Sequence, residues 1–153
     1  MAGGYGHIDE TVETEGKWMI AYRDIKDIEV EKIKELFESV GWYSARQPEK
    51  LREAFLHSSK VITAWDGDKL VGLVRGLDDG VWQATIDCLL VIPQMQGMGI
   101  ASELLRRIVK EYEEILYVVV VPEEQKNVPF YEKNGFAVMD DTVPLRIKND
   151  TWE

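Results

Sequence analysis

The chain has 153 residues, and its 18 basic and 28 acidic side chains give it a formal net charge of −10. With 45% hydrophobic and 30% charged residues, the composition is that of an ordinary globular domain, which excludes collagenous, low-complexity and wholly disordered chains. The excess of acid argues against a nucleic-acid partner, which would need a basic face, and favours a cationic small molecule.

Cysteine content and the N-terminal segment indicate where the protein works. Cys88 is the single cysteine, so no disulfide forms within the chain and nothing indicates an oxidising compartment. Residues 1–16 lack the basic start and apolar centre of a signal peptide, and their glycines and acids predict a flexible segment ahead of one domain at residues 17–153. The apolar run at residues 115–121 is far shorter than the about 20 residues that a membrane helix needs. We therefore expect a cytoplasmic protein that does not enter a membrane.

The first half of the chain predicts one strand, two helices and a hairpin. In chain order these are a strand at residues 18–22, an amphipathic helix carrying Val30, Ile33, Leu36, Phe37 and Val40, a short helix at residues 48–59, and strands at residues 61–65 and 69–76. Gly41 ends the first helix, and Asp66-Gly67-Asp68 predicts the turn between the two strands.

The second half predicts a strand–helix–strand unit followed by a short helix. Its elements are a strand at residues 81–92, a helix carrying Ile100, Leu104, Leu105, Ile108, Val109 and Tyr112, a β-branched strand at residues 117–121, a helix capped by Asn127, and short strands at residues 136–139 and 143–147. The resulting order, β-α-α-β-β-β-α-β-α-β-β, predicts a single α/β domain in which helices cover both faces of one mixed sheet.

The segment between the strand at residues 81–92 and the following helix carries the most informative chemical signal. Gly97 and Gly99 lie where the strand gives way to the helix, and glycines let the backbone turn tightly and approach a ligand. Free N–H groups and the peptide dipoles at a helix start favour an anion such as a phosphate or diphosphate. A purely structural tight connection accounts for the same two glycines, so the pattern alone leaves both interpretations open.

Two motifs in this half resemble those of the GNAT superfamily of acetyl-CoA-dependent N-acetyltransferases. Gln96-Gly97-Met98-Gly99-Ile100-Ala101 is similar to the family signature Arg/Gln-x-x-Gly-x-Gly/Ala, as is the overlapping register that begins at Gln94. Residues 127–136, with Phe130-Tyr131-Glu132-Lys133 at their centre, resemble a second family element further along the chain. With the order of elements included, the resemblance covers residues 18–147 and implies the GNAT fold.

The resemblance implies that acetyl-CoA, the acetyl donor, binds between two splayed parallel strands. By analogy with the family, backbone groups of Leu90 and Val91 accompany the pantetheine, and residues 96–101 surround the diphosphate. The residues implied to contact the donor are Leu90, Val91, Gln96, Gly97, Met98, Gly99, Ile100, Ala101, Asn127, Phe130 and Tyr131. Independently, a free strand edge suits an amide chain and a helix start suits its charged end. Asn127 has two interpretations, helix cap and cofactor contact.

Tyr131 and Asp87 are the predicted catalytic residues. Tyr131 matches the family tyrosine that donates a proton to the departing thiolate, although an aromatic residue on a helix is also a common core residue. Asp87 interrupts an apolar strand, and partial desolvation there would suit a general base. By period-2 alternation it shares a face with Gln83, Thr85, Leu89 and Val91. The alternative for Asp87 is a structural residue bonded to a neighbouring loop. Gln83 stands near the position where some family members carry a catalytic glutamate.

Trp42 and Tyr43 are predicted to bind the acceptor amine. They follow the first helix, in the connection that commonly walls the acceptor pocket in the resembling family. Aromatic rings suit an amine attached to apolar or aromatic carbon.

Neither a metal ion nor a covalent intermediate is predicted. His7 and His57 lack metal-ligand spacing to each other or to Cys88, and Cys88 is expected to be a small core residue. Homodimers are frequent in the resembling family, and the short segment after Phe136 leaves a sheet edge for a partner to cover, so a homodimer is expected.

Together these observations predict an N-acetyltransferase that moves the acetyl group of acetyl-CoA to a primary amine of a small molecule by direct attack in a ternary complex. The alternative is a non-catalytic acyl-CoA-binding module, a sensor or regulatory subunit that keeps the cofactor clamp but not the chemistry. A plain interaction domain is a third interpretation. No motif identifies the acceptor.

Overall fold

A computed structural model describes residues 8–14 and 18–152, with side chains described from residue 19 onward. The strands are β1 Ile8–Thr14, β2 Trp18–Asp24, β3 Lys60–Asp66, β4 Lys69–Asp78, β5 Gln83–Val91 and β6 Tyr117–Val120, and the helices are α1 Val30–Ser39, α2 Pro48–Leu56, α3 Ile100–Glu111 and α4 Val128–Lys133. Short 3₁₀ turns lie at Tyr43–Arg46, Pro93–Met95 and Gln125–Asn127. The predicted single mixed α/β domain is confirmed.

The strands form one sheet in the order β1-β2-β3-β4-β5-β6. Each neighbouring pair is antiparallel except β5 and β6, which run parallel and are connected by α3. A parallel pair needs such a crossover because the chain must return to the same end of the sheet. Asp66 pairs with Lys69, so Gly67 and Asp68 form the predicted two-residue turn.

The core lies on both sides of the central strands. Every residue from 61 to 65 in β3 and from 70 to 74 in β4 is buried. Successive side chains in a strand point to opposite faces, so unbroken burial requires cover on both sides. The cover comes from α1, which packs against β4 and α2, and from α3, which packs against β3, β4 and β5. The buried residues of α3 are Ile100, Leu104, Leu105 and Ile108, a single helical stripe.

Two predictions near the chain ends are wrong. The sequence predicts no element before residue 18, yet residues 8–14 form β1 and pair antiparallel with β2. The rest of the predicted flexible segment, residues 1–7 and 15–16, lies outside the described residues. At the other end, residues 136–139 and 143–147 form no strand, and every residue from 137 to 151 is exposed. Alternating apolar residues favour a strand, but a strand also needs an edge to pair with, and this segment does not pair with β6.

Candidate active site

The site begins where β5 and β6 separate. Their parallel pairing joins residues 83–86 to residues 117–120 and ends at Ile86. Immediately beyond, residues 87–90 of β5 lie opposite residues 73–75 of β4, so β5 contains one residue more than its partner. Cys88 lies in this bulge with φ of 52°, the only non-glycine residue with positive φ in the described part of the chain. The bulge bends β5 at the point where its pairing with β6 stops, and the two strands diverge.

A cavity of about 920 Å³ lies at this separation. Its lining includes Ser39, Val40, Trp42, Leu89, Leu90, Val91, Pro93, Met95, Gln96, Gly97, Gly99, Ile100, Ala101, Ser102, Glu123, Glu124, Asn127, Phe130, Tyr131 and Lys133. Every predicted donor-binding residue except Met98 belongs to this lining. Residues far apart in sequence are therefore brought together around one volume.

The glycine loop enters this cavity as an open turn. Gly97 and Gly99 have φ of 81° and 84°, and a Cβ added at either position would meet nothing within 4 Å. Glycine is thus required by backbone conformation and not by crowding, and the space beside it stays open. The Gln96 side chain fixes the loop, since its Nε2 donates a hydrogen bond of 3.0 Å to the Val91 carbonyl oxygen.

The first turn of α3 faces the same space. The first hydrogen bond within the helix runs from the Glu103 N–H to the Gly99 carbonyl at 3.0 Å, and no side chain caps the helix start. The amides of Ile100, Ala101 and Ser102 precede that bond and carry the positive end of the peptide dipoles. Open amides beside glycines that leave room for a ligand suit a diphosphate, so the residues present fit the charged end of a coenzyme A thioester.

Leu90 and Val91 have a strand partner on one edge only, although the Val91 carbonyl also accepts the hydrogen bond from Gln96. Leu90 pairs with Leu73 and Val91 with Gly72 on β4. Within the described residues, the opposite edge of β5 has no strand partner beyond Ile86. Backbone groups on that edge are available to an amide chain, as predicted for pantetheine.

Tyr131 reaches the cavity from α4. Its ring packs edge-on against Phe130 and Phe136, with ring centroids 5.2 and 5.8 Å away. Burial, and then the nearby charge of Glu123, raise the pKa of the Tyr131 phenol above its ordinary value of 10.0. The phenol therefore stays protonated at physiological pH and can donate a hydrogen bond or a proton to negative charge that develops beside it.

Asn127 occupies the N-cap position of α4 but makes no capping hydrogen bond with its side chain. Its side chain belongs to the cavity lining instead. The structure thus shows no side-chain cap at Asn127, and its contact with the cofactor stays a prediction.

Asp87 lies outside the cavity lining and is held by an arginine of the neighbouring strand. Arg75 donates two hydrogen bonds to its carboxylate, from Nε to Oδ1 at 2.7 Å and from Nη2 to Oδ2 at 2.6 Å. These hydrogen bonds raise the pKa of the Arg75 guanidinium, although burial acts in the opposite direction. The bulge at Cys88 also interrupts the period-2 alternation on which the predicted shared face with Leu89 and Val91 depends. The partner that the structure shows is thus a strand arginine and not a loop.

The two predicted acceptor residues have separate surroundings. Trp42 lines the cavity and packs edge-on against Phe37 at 5.5 Å. Tyr43 does not belong to the lining, is 49% exposed, and carries the Arg46 guanidinium over its ring at 4.6 Å. Of the two predicted acceptor residues, only Trp42 therefore lines this cavity.

Cys88 contributes no reactive thiol. Burial, and then the charge of Asp87, raise the pKa of its thiol to about 12, so the nucleophilic thiolate is scarce at physiological pH. Among residues 8–14 and 18–152, no cluster of three or more His, Cys, Asp or Glu side chains is arranged to hold a metal ion.

Sequence reasoning missed the acidic corner of the cavity. Glu123 and Glu124 lie a short distance past the end of β6 at Val120, after Val121 and Pro122, and line the cavity together with Lys133. The charge of Glu123 raises the pKa of both the Tyr131 phenol and the Cys88 thiol, so its carboxylate lies near both groups. The signal that could have found it is its place just beyond the carboxyl end of a parallel strand, where α/β proteins bind ligands.

Comparisons with known proteins agree on one family. The model of the acetyltransferase (GNAT) family matches residues 26–136. Among solved structures, a GNAT-family acetyltransferase of Streptococcus pneumoniae TIGR4 matches with a TM-score of 0.75 at 31% identity, over 86% of this chain and 99% of that one. An aminoglycoside acetyltransferase from an uncultured soil metagenomic sample, in complex with sisomicin, has a TM-score of 0.67 at 17% identity over 85% and 96% of the two chains, a likeness of fold.

Two plant and algal proteins are also similar in sequence. Serotonin N-acetyltransferase 2, chloroplastic, of Oryza sativa subsp. japonica is 29% identical over 126 residues, which is 79% of this chain and 62% of that protein. The uncharacterized N-acetyltransferase ycf52 of Porphyra purpurea is 28% identical over 123 residues, 77% of this chain and 70% of that protein.

No helix in the described part of this chain has the length and hydropathy needed to cross a bilayer.

Proposed function

This chain belongs to the GNAT family of acetyltransferases, and on that premise we propose that it moves the acetyl group of acetyl-CoA to a primary amine by direct attack in a ternary complex. One observation carries the proposal: the uncapped start of α3 and the Tyr131 phenol border the same cavity. A diphosphate at the helix start and a thiolate beside the phenol are the two ends that such a donor would present.

The donor would be held mainly by backbone groups. We assign the diphosphate to the amides of residues 97–102 and the pantetheine to the free edge of β5 at Leu90 and Val91. Asn127 and Phe130 border the same space from the start of α4. Acetyl-CoA supplies the activated acetyl group, and the protein supplies position, because holding amine and thioester together removes much of the entropic barrier.

In the transfer step, the neutral amine nitrogen bonds to the thioester carbonyl carbon and the carbon–sulfur bond breaks. The electron pair of that bond leaves with the sulfur, and Tyr131 donates its proton to the departing thiolate. Strand amides of β5 beyond Ile86 polarise the carbonyl oxygen. Cys88 takes no part, since its thiol is buried and protonated. As the amide forms, the attacking nitrogen loses a proton, and this proton returns to the Tyr131 phenolate. The products are the N-acetylated amine, free CoA and the restored phenol.

The ammonium form of the acceptor must lose a proton before attack, and Asp87 is the proposed base. Both of its oxygens accept hydrogen bonds from Arg75, so it takes up a proton only when that ion pair opens. The same pairing is the observation that favours the second candidate function, a non-catalytic acyl-CoA-binding module that retains the cavity without a free base.

We propose that the acceptor is a cationic small molecule with aromatic or aliphatic carbon next to its amine. The net charge of −10 attracts cations, and Glu123 places a carboxylate in the same cavity as the Trp42 ring. An arylalkylamine meets both conditions, and the rice relative is named for one such substrate. A reducing compartment such as the cytoplasm suits the single unpaired thiol.

The test combines calorimetry with a thiol-release assay. Acetyl-CoA is titrated into the protein, and CoA release is then followed with an arylalkylamine, a polyamine and an aminoglycoside. We expect binding and turnover with at least the arylalkylamine, and Glu123→Gln should raise KM for the amine while leaving the Kd of acetyl-CoA unchanged. Binding without release across the panel would establish the binding module, and absence of binding would refute both functions.

A further inference from the structure

A second cavity, the α3 groove, has a volume of about 540 Å³ and lies beside the C-terminal half of α3. In the described part of the chain it shares no lining residue with the cavity that Tyr131 borders. α3 packs mainly against β3, β4 and β5, so a groove remains between the helix and the end of β2 at Asp24. α3 therefore contributes its first turn to one cavity and its later turns to the other.

Arg107, which lines the α3 groove, is a largely buried cation with unused hydrogen-bond donors. Its side chain is 13% exposed, and its guanidinium carbon lies 4.6 Å from the centroid of the buried Tyr22 ring. Nε donates a hydrogen bond of 2.8 Å to Glu103 Oε1, whereas no acceptor among the described residues is bonded to Nη1 or Nη2. Because a guanidinium has five N–H donors and buried polar groups are normally bonded, these two nitrogens lack an acceptor that a ligand could supply.

Charge changes sign along the side of α3 that lines the groove. Arg107 and Lys110 come first, and Glu111, Glu113 and Glu114 follow. The helix advances by about 6 Å from Arg107 to Glu111, so the cationic and acidic ends of the groove are about that far apart. Within the range that the structure describes, the side chains of Lys110, Glu113 and Glu114 form no hydrogen bond or ion pair. Each end of the groove thus has charges that a ligand can pair with.

The charges around the groove disfavour a ligand that carries only one sign of charge. Lys60 bridges Asp24 at 2.7 Å and Glu111 at 3.4 Å, which offsets part of the acid. An isolated anion would still meet the remaining carboxylates of a protein with net charge −10. An isolated cation would meet Arg107 and Lys110. A neutral molecule with one charge of each sign, about 6 Å apart, would complement both ends.

We propose that the α3 groove is a second ligand site, which binds a small zwitterion of the size of a dipeptide. The carboxylate of the ligand accepts hydrogen bonds from Nη1 and Nη2 of Arg107 and pairs with Lys110. Its ammonium group donates to the carboxylates of Glu113 and Glu114. A trans peptide separates neighbouring Cα atoms by about 3.8 Å, so the two charged ends of a dipeptide are about 6 Å apart, as the groove requires.

The first test maps the binding of diglycine to the full-length protein by the chemical shifts of its backbone amides. Diglycine is titrated to about 10 mM, the range expected for a ligand this small. Two analogues each keep one charge: N-acetyldiglycine has the carboxylate, and diglycinamide has the ammonium. Diglycine should shift the amides of residues 106–114 and bind at least about tenfold more tightly than either analogue. Shifts at residues 96–101 on addition of CoA report the donor cavity separately, so the proposed transferase function is decided by different signals.

The second test removes the cationic end of the groove. Arg107→Gln should raise the Kd for diglycine about tenfold or more, and Lys110→Gln, at an exposed position that the core does not use, should raise it as well. The matched control is Arg52→Gln, which removes a cation of α2 that pairs with Asp27 at 2.6 Å and lies outside the groove. This control should leave the Kd unchanged.

The same measurements contain the results that would overturn the proposal. Absence of any shift at residues 106–114 would show that the groove binds no zwitterion of this size. Equal affinity for N-acetyldiglycine or diglycinamide would show a site for a single charge. A Kd that rises as much in Arg52→Gln as in Lys110→Gln would reduce the effect to the net charge of the protein.

Discussion

Replacing Gly99 by alanine tests the diphosphate seat more directly than any change to a side chain, because the methyl group alters only the loop. Gly99 has φ of 84°, and an added Cβ would meet nothing within 4 Å. The only effect on folding is therefore the strain of an L-residue in a left-handed backbone conformation. This strain should lower the free energy of unfolding by about 1–2 kcal/mol. For a chain of this size that corresponds to a fall in Tm of about 2–8 °C.

The effect on ligand binding should be larger than the effect on folding. The methyl group stands in the open space beside the first amides of α3, and displacing one charge-assisted hydrogen bond to a phosphate costs about 1.5–3 kcal/mol. The Kd for acetyl-CoA should then rise about 10- to 150-fold. Calorimetric titration gives the Kd, and thermal unfolding followed by circular dichroism gives the Tm.

Gly67→Ala is the matched control for this experiment. Gly67 also has positive φ, 59°, and open space around its Cβ, but it lies in the turn between β3 and β4. Both variants should lose similar stability, and only Gly99→Ala should lose affinity. If Gly99→Ala binds acetyl-CoA as tightly as the unaltered protein, the loop does not seat the diphosphate and the reasoning fails.

Three further predictions concern the chemistry. Tyr131→Phe should lower kcat about 10²-fold. Because burial raises the pKa of the phenol, ionisation of Tyr131 should not reduce the rate of the unaltered enzyme at neutral pH. Full turnover by the variant would remove the residue as acid. Asp87→Asn should lower kcat measured by thiol release, and an unchanged kcat would exclude Asp87 as base. Cys88→Ala should retain full turnover, and an inactive folded variant would contradict direct transfer. The native thiol should resist iodoacetamide at neutral pH because burial raises its pKa to about 12. Rapid labelling would show that the thiol is reactive after all.

The parts of the site that sequence predicts best are those encoded by local conformation. Gly97 and Gly99 both have positive φ, a conformation that glycine in a turn already suggests from the sequence. The motif around them also predicts the start of α3. The helix stripe of α3 and the hairpin at Gly67 are local for the same reason. Such features depend on neighbours within a few positions, so a single sequence contains them.

Features that depend on pairing between distant segments were not predictable. The Arg75–Asp87 ion pair depends on the register of β4 against β5. That register shifts at a bulge that cannot be predicted from the types of residue in either strand. The C-terminal strand prediction fails for a related reason, since alternation at Val143, Leu145 and Ile147 describes a strand face without saying which sheet it joins. β1 was missed because acids and nearby glycines obscure its pattern, and only its pairing with β2 reveals it.

The bulge at Cys88 shows how little chain is needed to make this site. Removing that one peptide unit would restore matched lengths in β5 and β4, and β5 would be straight enough to continue alongside β6 past Ile86. The two strands would then lie side by side, and no space for a ligand would remain between them, although every lining residue would still be present. Substitutions change side chains and leave this extra peptide unit in place, whereas deletion of one residue removes it.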